Sequence, residues 1–151
     1  MLAIIRIRGK VGVEEEIEDT LKILRLKTVN NCVIVPETPA YKGMIKKVRN
    51  FVAYGNIDFD TFLTMLKKRG RLTGNKRLTK ENVKELGFNT IEEMAEVIFE
   101  GKIKIKDIRK LQPVFRLTPP KKGHKSIKEH YPKGSLGYWG DKINSLLRRM
   151  I

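Results

Sequence analysis

The first 57 residues switch twice between two hydrophobic periods, and that alternation limits the folds open to the chain. Residues 2–8 are strand-like: Ile5 and Ile7 alternate with Arg6 and Arg8, the period of two expected where one strand face meets a core. Residues 9–12 hold Gly9 and Gly12 and form a turn. The spacing then predicts a helix over about 13–26, with Ile17, Leu21 and Leu24 inward and Val13 one turn earlier. Glu14, Glu15 and Glu16 fill its first turn and complement the helix dipole. A second short apolar strand follows over 32–35. Thr38 before Pro39 reads as a cap and a first helical residue. It opens a second helix to about 49, with Ala40, Met44, Ile45 and Val48 as its core face. Residues 51–55 make the third strand. Strand–helix–strand–helix–strand in so short a span implies an α+β fold, helices laid over a small sheet.

The remaining residues read mostly as helices. Asp58 caps one whose face is Phe59, Phe62, Leu63 and Leu66, a helical spacing, and Gly70 stops it. A Gly74-Asn75 turn follows. Thr79 caps a short helix ending at Gly87. Thr90 with Glu93 forms a capping box for another, stopped by Gly101. Residues 102–111 are expected to be a strand and then a helical turn, and 114–117 a further strand. Residues 118–140 read as a basic loop. Asp141 is expected to cap a last helix with Ile143, Leu146, Leu147 and Met150 apolar. The expected organisation is a core over 1–57, a helical extension over 58–112, and a basic arm with a closing helix over 113–151, all one structural unit.

Charge narrows the partners. The 151 residues carry 32 Lys and Arg against 17 Asp and Glu, a formal net charge of +15. Such an excess repels itself in a compact fold unless a polyanion neutralises it. Nucleic acid and an anionic membrane surface are the two candidates. No apolar run approaches the roughly 20 residues of a membrane-spanning helix, and the first residues do not read as a signal peptide. Residues 113–151 hold nine basic residues and two acidic ones, so the C-terminal quarter is the most cationic. Cys32 is the only cysteine, so no intrachain disulfide forms, and a reducing cytoplasm is the simple expectation.

Reactive chemistry is thin. Catalysis needs a nucleophile with a base, a carboxylate pair in a pocket, or a metal set. His124 and His130 fall in the basic loop without a nearby thiol or carboxylate cluster, which makes no zinc site. Cys32 sits in a strand and reads as a small core residue. No metal, cofactor or catalytic residue is expected. Gly9-Lys10-Val11-Gly12 matches the glycine loop of KH domains in letters only. It follows a strand, and three glutamates come after it, whereas the KH loop lies between two helices. A helix-turn-helix reading would make 91–100 the base-reading helix. That places Glu92, Glu93, Glu96 and Glu100 against DNA phosphates, which is poor electrostatics.

Two segments carry the RNA-binding expectation. Residues 61–80 contain no acid, while Lys67, Lys68, Arg69, Arg71, Lys76, Arg77 and Lys80 crowd it. A merely solvated face mixes signs. The first six of these are expected to form one patch. The arm carries Arg116, Lys121, Lys122, Lys125, Lys128 and Lys133, with His124 and the aromatics Tyr131, Tyr138 and Trp139 among or just after them. An extended cationic strand with aromatics can thread between RNA helices and stack on unpaired bases. The arm is expected to be mobile until RNA orders it. Arg6, Arg8, Lys42, Lys46, Lys47 and Arg49 complete the set of candidate RNA contacts.

Several stretches match a known family in order along nearly the whole chain. Leu24-Arg25-Leu26-Lys27 and Pro39-Ala40-Tyr41-Lys42-Gly43-Met44-Ile45-Lys46-Lys47-Val48 resemble the short bacterial form of large-subunit ribosomal protein thirty. Arg6-Ile7-Arg8-Gly9 with Gly12-Val13, Val52-Ala53-Tyr54-Gly55, Lys68-Arg69-Gly70, Phe115-Arg116-Leu117 and Asp141-Lys142-Ile143-Asn144 with Leu147-Arg148-Arg149-Met150 are similar to the longer archaeal and eukaryotic form, numbered seven in eukaryotes. The long basic N-terminal extension of eukaryotic members is missing here, and bacterial members are much shorter, so the archaeal form is implied. The resemblance further implies a three-stranded antiparallel sheet of β-α-β-α-β order, related to the ferredoxin-like fold. It implies a structural role in the cytoplasmic ribosome, supporting translation. Large-subunit rRNA, a position near 5S rRNA and neighbouring ribosomal proteins would be its partners, with neither DNA nor membrane.

Overall fold

The computed structural model describes residues 1–151. Strand β1 (Leu2–Arg6) lies at the centre of the main sheet, antiparallel to β2 (Asn31–Val35) and to β3 (Val52–Asn56). Helices α1 (Glu15–Ile23) and α2 (Pro39–Val48) make the two connections. This is the expected β-α-β-α-β sheet, but it is wider than expected. Residues from the last segment add β6 (Val114–Arg116), antiparallel to β2, and β7 (Gly137–Tyr138), parallel to β3. The strand order is β6-β2-β1-β3-β7.

The sheet is covered on both faces. Leu2, Ile4, Val33, Val35 and Val52 pack with Leu21, Leu24, Ile45 and Val48 from α1 and α2. The alternate residues Ala3, Ile5, Cys32, Ile34, Ala53 and Phe115 pack on the other side. There they meet α3 (Phe59–Arg69), α5 (Ile91–Phe99) and α6 (Ile143–Met150). The larger cluster draws on every third of the chain, so one core holds the segments together. Sandwiching also explains why every residue of β1 is buried. The alternating pattern implied one charged face on that strand, and there is none.

Local chemistry sets most helix starts. Thr38, Asp58, Thr79 and Thr90 each accept a hydrogen bond from the backbone amide three residues on, satisfying a helix-start donor. Glu93 reaches back one residue past the cap and accepts from Asn89 N at 3.0 Å, so the reciprocal bond of the expected box goes to Asn89 rather than to Thr90. The closing helix departs from this. Asp141 lies in a single 3-10 turn, Gly140–Lys142, and does not cap α6 through its side chain. The buried Asn144 does the tying instead. Its amide donates to Asp141 O at 2.9 Å and Asn56 O at 3.1 Å, and its Oδ1 accepts from Asp58 N at 2.9 Å. Helix α1 is shorter than expected because Arg25 turns left-handed at φ 64°, a conformation that ends a helix. Ala40, expected in the core, is exposed.

Two further strands, besides β7, go beyond the sequence expectation. β4 (Arg71–Leu72) and β5 (Lys76–Arg77) form a hairpin across the expected Gly74-Asn75 turn. Both turn residues have positive φ, 85° and 60°, as tight hairpin turns favour. Residues 102–111 contain no strand. They hold a 3-10 turn, Ile105–Asp107, and Leu111 bridges to Leu72 of the hairpin. A short helix α4 (Lys80–Glu85) links the hairpin to α5.

Candidate nucleic-acid interface

The candidate cations fall into three different environments. Arg6 is fully buried, which corrects its assignment to RNA. Its guanidinium donates to Leu26 O at 2.8 Å, Lys27 O at 3.3 Å, Arg8 O at 2.9 Å and Gly9 O at 3.3 Å. It also pairs with Glu18 at 3.1 Å. That hydrogen bond holds the Glu18 carboxyl below its ordinary pKa, although partial burial opposes the shift. Arg6 therefore locks the loop after α1 to β1 and has no donor to offer outward. Its neighbour Arg8 is half-buried, 5.2 Å from the centre of the Phe51 ring.

A second group is exposed but partnered. Lys42 pairs with Glu37 at 3.4 Å, Lys47 with Glu16, and Lys67 with Glu92. Each partner is itself well exposed, and such pairs contribute little, so a polyanion can exchange for the carboxylate. Lys46 and Arg49 stand on the same helix end without an ion-pair partner.

A third group, which shares Lys67 with the second, makes two concave sites lined by no Asp or Glu. Lys67, Lys68, Arg69, Arg71 and Arg77 line the first, with Leu78, Thr79 and the terminal Ile151. The end of α3 supplies three of the cations and the β4–β5 hairpin the other two. Lys76, on the same hairpin, is exposed but does not line this hollow. Arg69 differs from its neighbours: it is half-buried and donates to Ile151 O at 3.0 Å, so it also fastens the chain end. Lys125, Lys142 and Arg149 line the second site around Tyr131 and Trp139. Lys142 and Arg149 were missed because the sequence places them on the closing helix, and only folding brings them to the arm.

The arm is packed against the protein itself, which corrects the expectation of a free strand. Gly134, Ser135, Leu136 and Gly137 are all buried. Tyr131 stacks on Trp139 with ring centres 4.4 Å apart, and the indole N–H donates to Ser135 O at 2.9 Å. His124 Nδ1 lies 2.9 Å from Ser135 Oγ, and burial with nearby Arg149 lowers its pKa. His130 Nε2 lies 2.9 Å from Asn50 Oδ1. Tyr138 is 54% exposed and tilts against Tyr54. Of the three aromatics, it is the one whose ring stands mostly in solvent. Arg116, Lys121, Lys122, Lys125, Lys128 and Lys133 are exposed and carry no ion-pair partner.

Reactive groups are not gathered anywhere on these surfaces. Burial pushes the Cys32 thiol far above its ordinary pKa, and no three His, Cys, Asp or Glu side chains come together as metal ligands. The fold and its sites define a small basic α+β scaffold whose working surfaces are patches of positive charge. The family described as ribosomal protein L30p/L7e matches residues 2–52. Over 99% of both chains, the sequence is 53% identical to large ribosomal subunit protein uL30 of Archaeoglobus fulgidus. It is 49% identical to the protein of that name from Methanocorpusculum labreanum, and 53% identical to that of Methanococcus maripaludis over 99% of this chain and 98% of the relative. The chain belongs to the uL30 family of ribosomal proteins, in its long archaeal form. The family is a structural component of the ribosome and not an enzyme.

Proposed function

We propose that this chain stabilises the large ribosomal subunit by binding folded large-subunit rRNA through its acid-free cationic sites, at a position beside 5S rRNA. The observation that carries the reading is the hollow between α3 and the β4–β5 hairpin. Five cations line it, no Asp or Glu does, and the side chains of Lys68, Arg71 and Arg77 have no partner within the protein. A duplex or folded RNA brings phosphates at a density that such a surface neutralises, releasing counterions. Family membership supports the structural role. The placement beside 5S rRNA rests on the family resemblance alone.

The reading is tested by titrating the purified protein with large-subunit rRNA fragments at several salt concentrations. Each neutralised phosphate adds roughly 0.7–0.9 to the slope of log affinity against log salt. A steep linear fall is expected. A salt-independent affinity would remove the electrostatic basis of the proposal.

A further inference from the structure

Along the β2 edge of the sheet lies an apolar groove that the cationic sites do not share. Strand β1 pairs with β2 out to Val35, but β6 pairs with it only as far as Val33, opposite Val114. The chain before β6 is drawn away toward the hairpin. Gln112 N donates to Arg71 O at 2.9 Å, Thr73 N donates to Lys110 O at 2.7 Å, and Pro113 has no amide to continue the ladder. Ile34 and Val35 therefore have no strand neighbour on that side. Leu24, Ile34, Val35, Ile98, Ile103 and Ile105 line the gap. Ile23 stands at its rim, 68% exposed.

The rim charges indicate what fits. Arg25, Lys104 and Lys106 line the groove, none of its residues is acidic, and none of the three cations has an ion-pair partner. We propose that the groove receives an extended segment of a neighbouring protein, added as a short strand beside Ile34 and Val35. Its apolar side chains enter the trough and its carboxylates meet Arg25, Lys104 and Lys106. Strand addition gives main-chain pairing and alternate side-chain pockets together. RNA matches the rim but not the floor. Tyr41 is the one aromatic residue in its lining, whereas unpaired bases are held by aromatic platforms. The groove uses none of the cations assigned to rRNA, so it stands apart from that reading.

The test labels an Ile23→Cys variant with a benzophenone maleimide and reconstitutes it into large subunits. Native Cys32 is fully buried, so the label goes to position 23. Irradiation is expected to crosslink a defined segment of one ribosomal protein, with carboxylates flanking its apolar residues. In the same background, Lys104→Glu with Lys106→Glu should cut the yield several-fold, about threefold or more for two rim pairs, without reducing rRNA affinity of the free protein. A crosslink to rRNA, no crosslink at all, or a yield unmoved by the charge reversal would overturn the proposal. A loss of rRNA affinity in the double variant would show that these lysines serve RNA, and would overturn it equally.

Discussion

Residues 67–77 and the arm over 118–140 look alike as sequence and settle differently. Both are crowded with basic residues, Lys and Arg in the first and Lys in the second, and both turn on glycines. In the first, the hairpin turns its cations out, and Lys68, Arg71 and Arg77 stay unpaired around a hollow. In the second, four small or apolar residues from Gly134 to Gly137 sink into the sheet edge beside β3. Tyr131 and Trp139 then stack on each other. Positive charge decides which surface is cationic. Whether the segment stands free is decided by a few uncharged residues, because burying them offsets the entropy of ordering the rest.

The largest effect expected from this difference is on RNA. Lys68→Glu, Arg71→Glu and Arg77→Glu together abolish the neutralisation of three phosphates, which at moderate salt is worth about a hundredfold in affinity for large-subunit rRNA. The salt slope should fall by roughly 0.7–0.9 for each phosphate no longer neutralised, and the melting temperature should hardly move, as surface substitutions usually leave it. Arg69 is left intact because it binds Ile151 O. If the triple variant melts early, the hairpin is as structural as the arm, and the comparison fails. Unchanged affinity would place the RNA-binding surface elsewhere.

Next in size is the seat of the arm. Gly55 in β3 has no room for a side chain: a Cβ there would lie 2.3 Å from Gly140 O and 2.8 Å from the Ile143 Cβ. Gly55→Ala must push the turn and α6 off the strand, and overpacking of this kind costs typically about 1–3 kcal/mol. Trp139 is the only tryptophan, so its fluorescence reports the arm directly. A lower melting temperature with a solvent-shifted Trp139 signal is expected. A shift in melting without any change at Trp139 would mean that the arm is held by something other than β3.

How far the sequence disclosed all this follows from the range of each interaction. Caps such as Asp58 and Thr90 act within three or four residues, and the structure forms them where the letters place them. The three central strands were legible from short apolar runs. Arg6 was not. Its alternation with Ile5 and Ile7 implied a solvent face, but α1 and α2 cover that face, and the loop after α1 takes up the guanidinium. The partner that makes this possible, Glu18, lies twelve residues away on a helix whose acids read as a first-turn cluster. The arm failed for the same reason. β7 is two residues long and pairs in parallel with a strand some eighty residues earlier, and no local period encodes such a pairing. The unpaired cations of 67–77 were legible because an exposed charge needs no distant partner to stay where it is.

The smallest effect separates the two regions by pH. His124 lies half-buried against Ser135, and burial followed by the charge of Arg149 holds its pKa below the ordinary 6.5. Neither bias exists in the unfolded chain, so between the folded and unfolded values the unfolded state binds more protons, and stability rises with pH. The contribution of neutral His124 is therefore complete above the unfolded value and is lost as pH falls below it, levelling off under the folded value. Residues 67–77 contain no histidine and no acidic residue. Glu16, Glu18 and Glu92 are held below 4.5 and act only in stronger acid. Thermal melts followed at Trp139 at about pH 7.5 and about pH 5.5 span the histidine range. The wild type should lose slightly more stability on acidification than His124→Gln, whose amide can still reach Ser135 Oγ. The affinity of the 67–77 site for rRNA, measured at both values, should show no step that depends on His124, because that site contains no histidine. Equal losses in the two proteins would mean that His124 does not couple the arm to protons, and pH would then not separate the two regions.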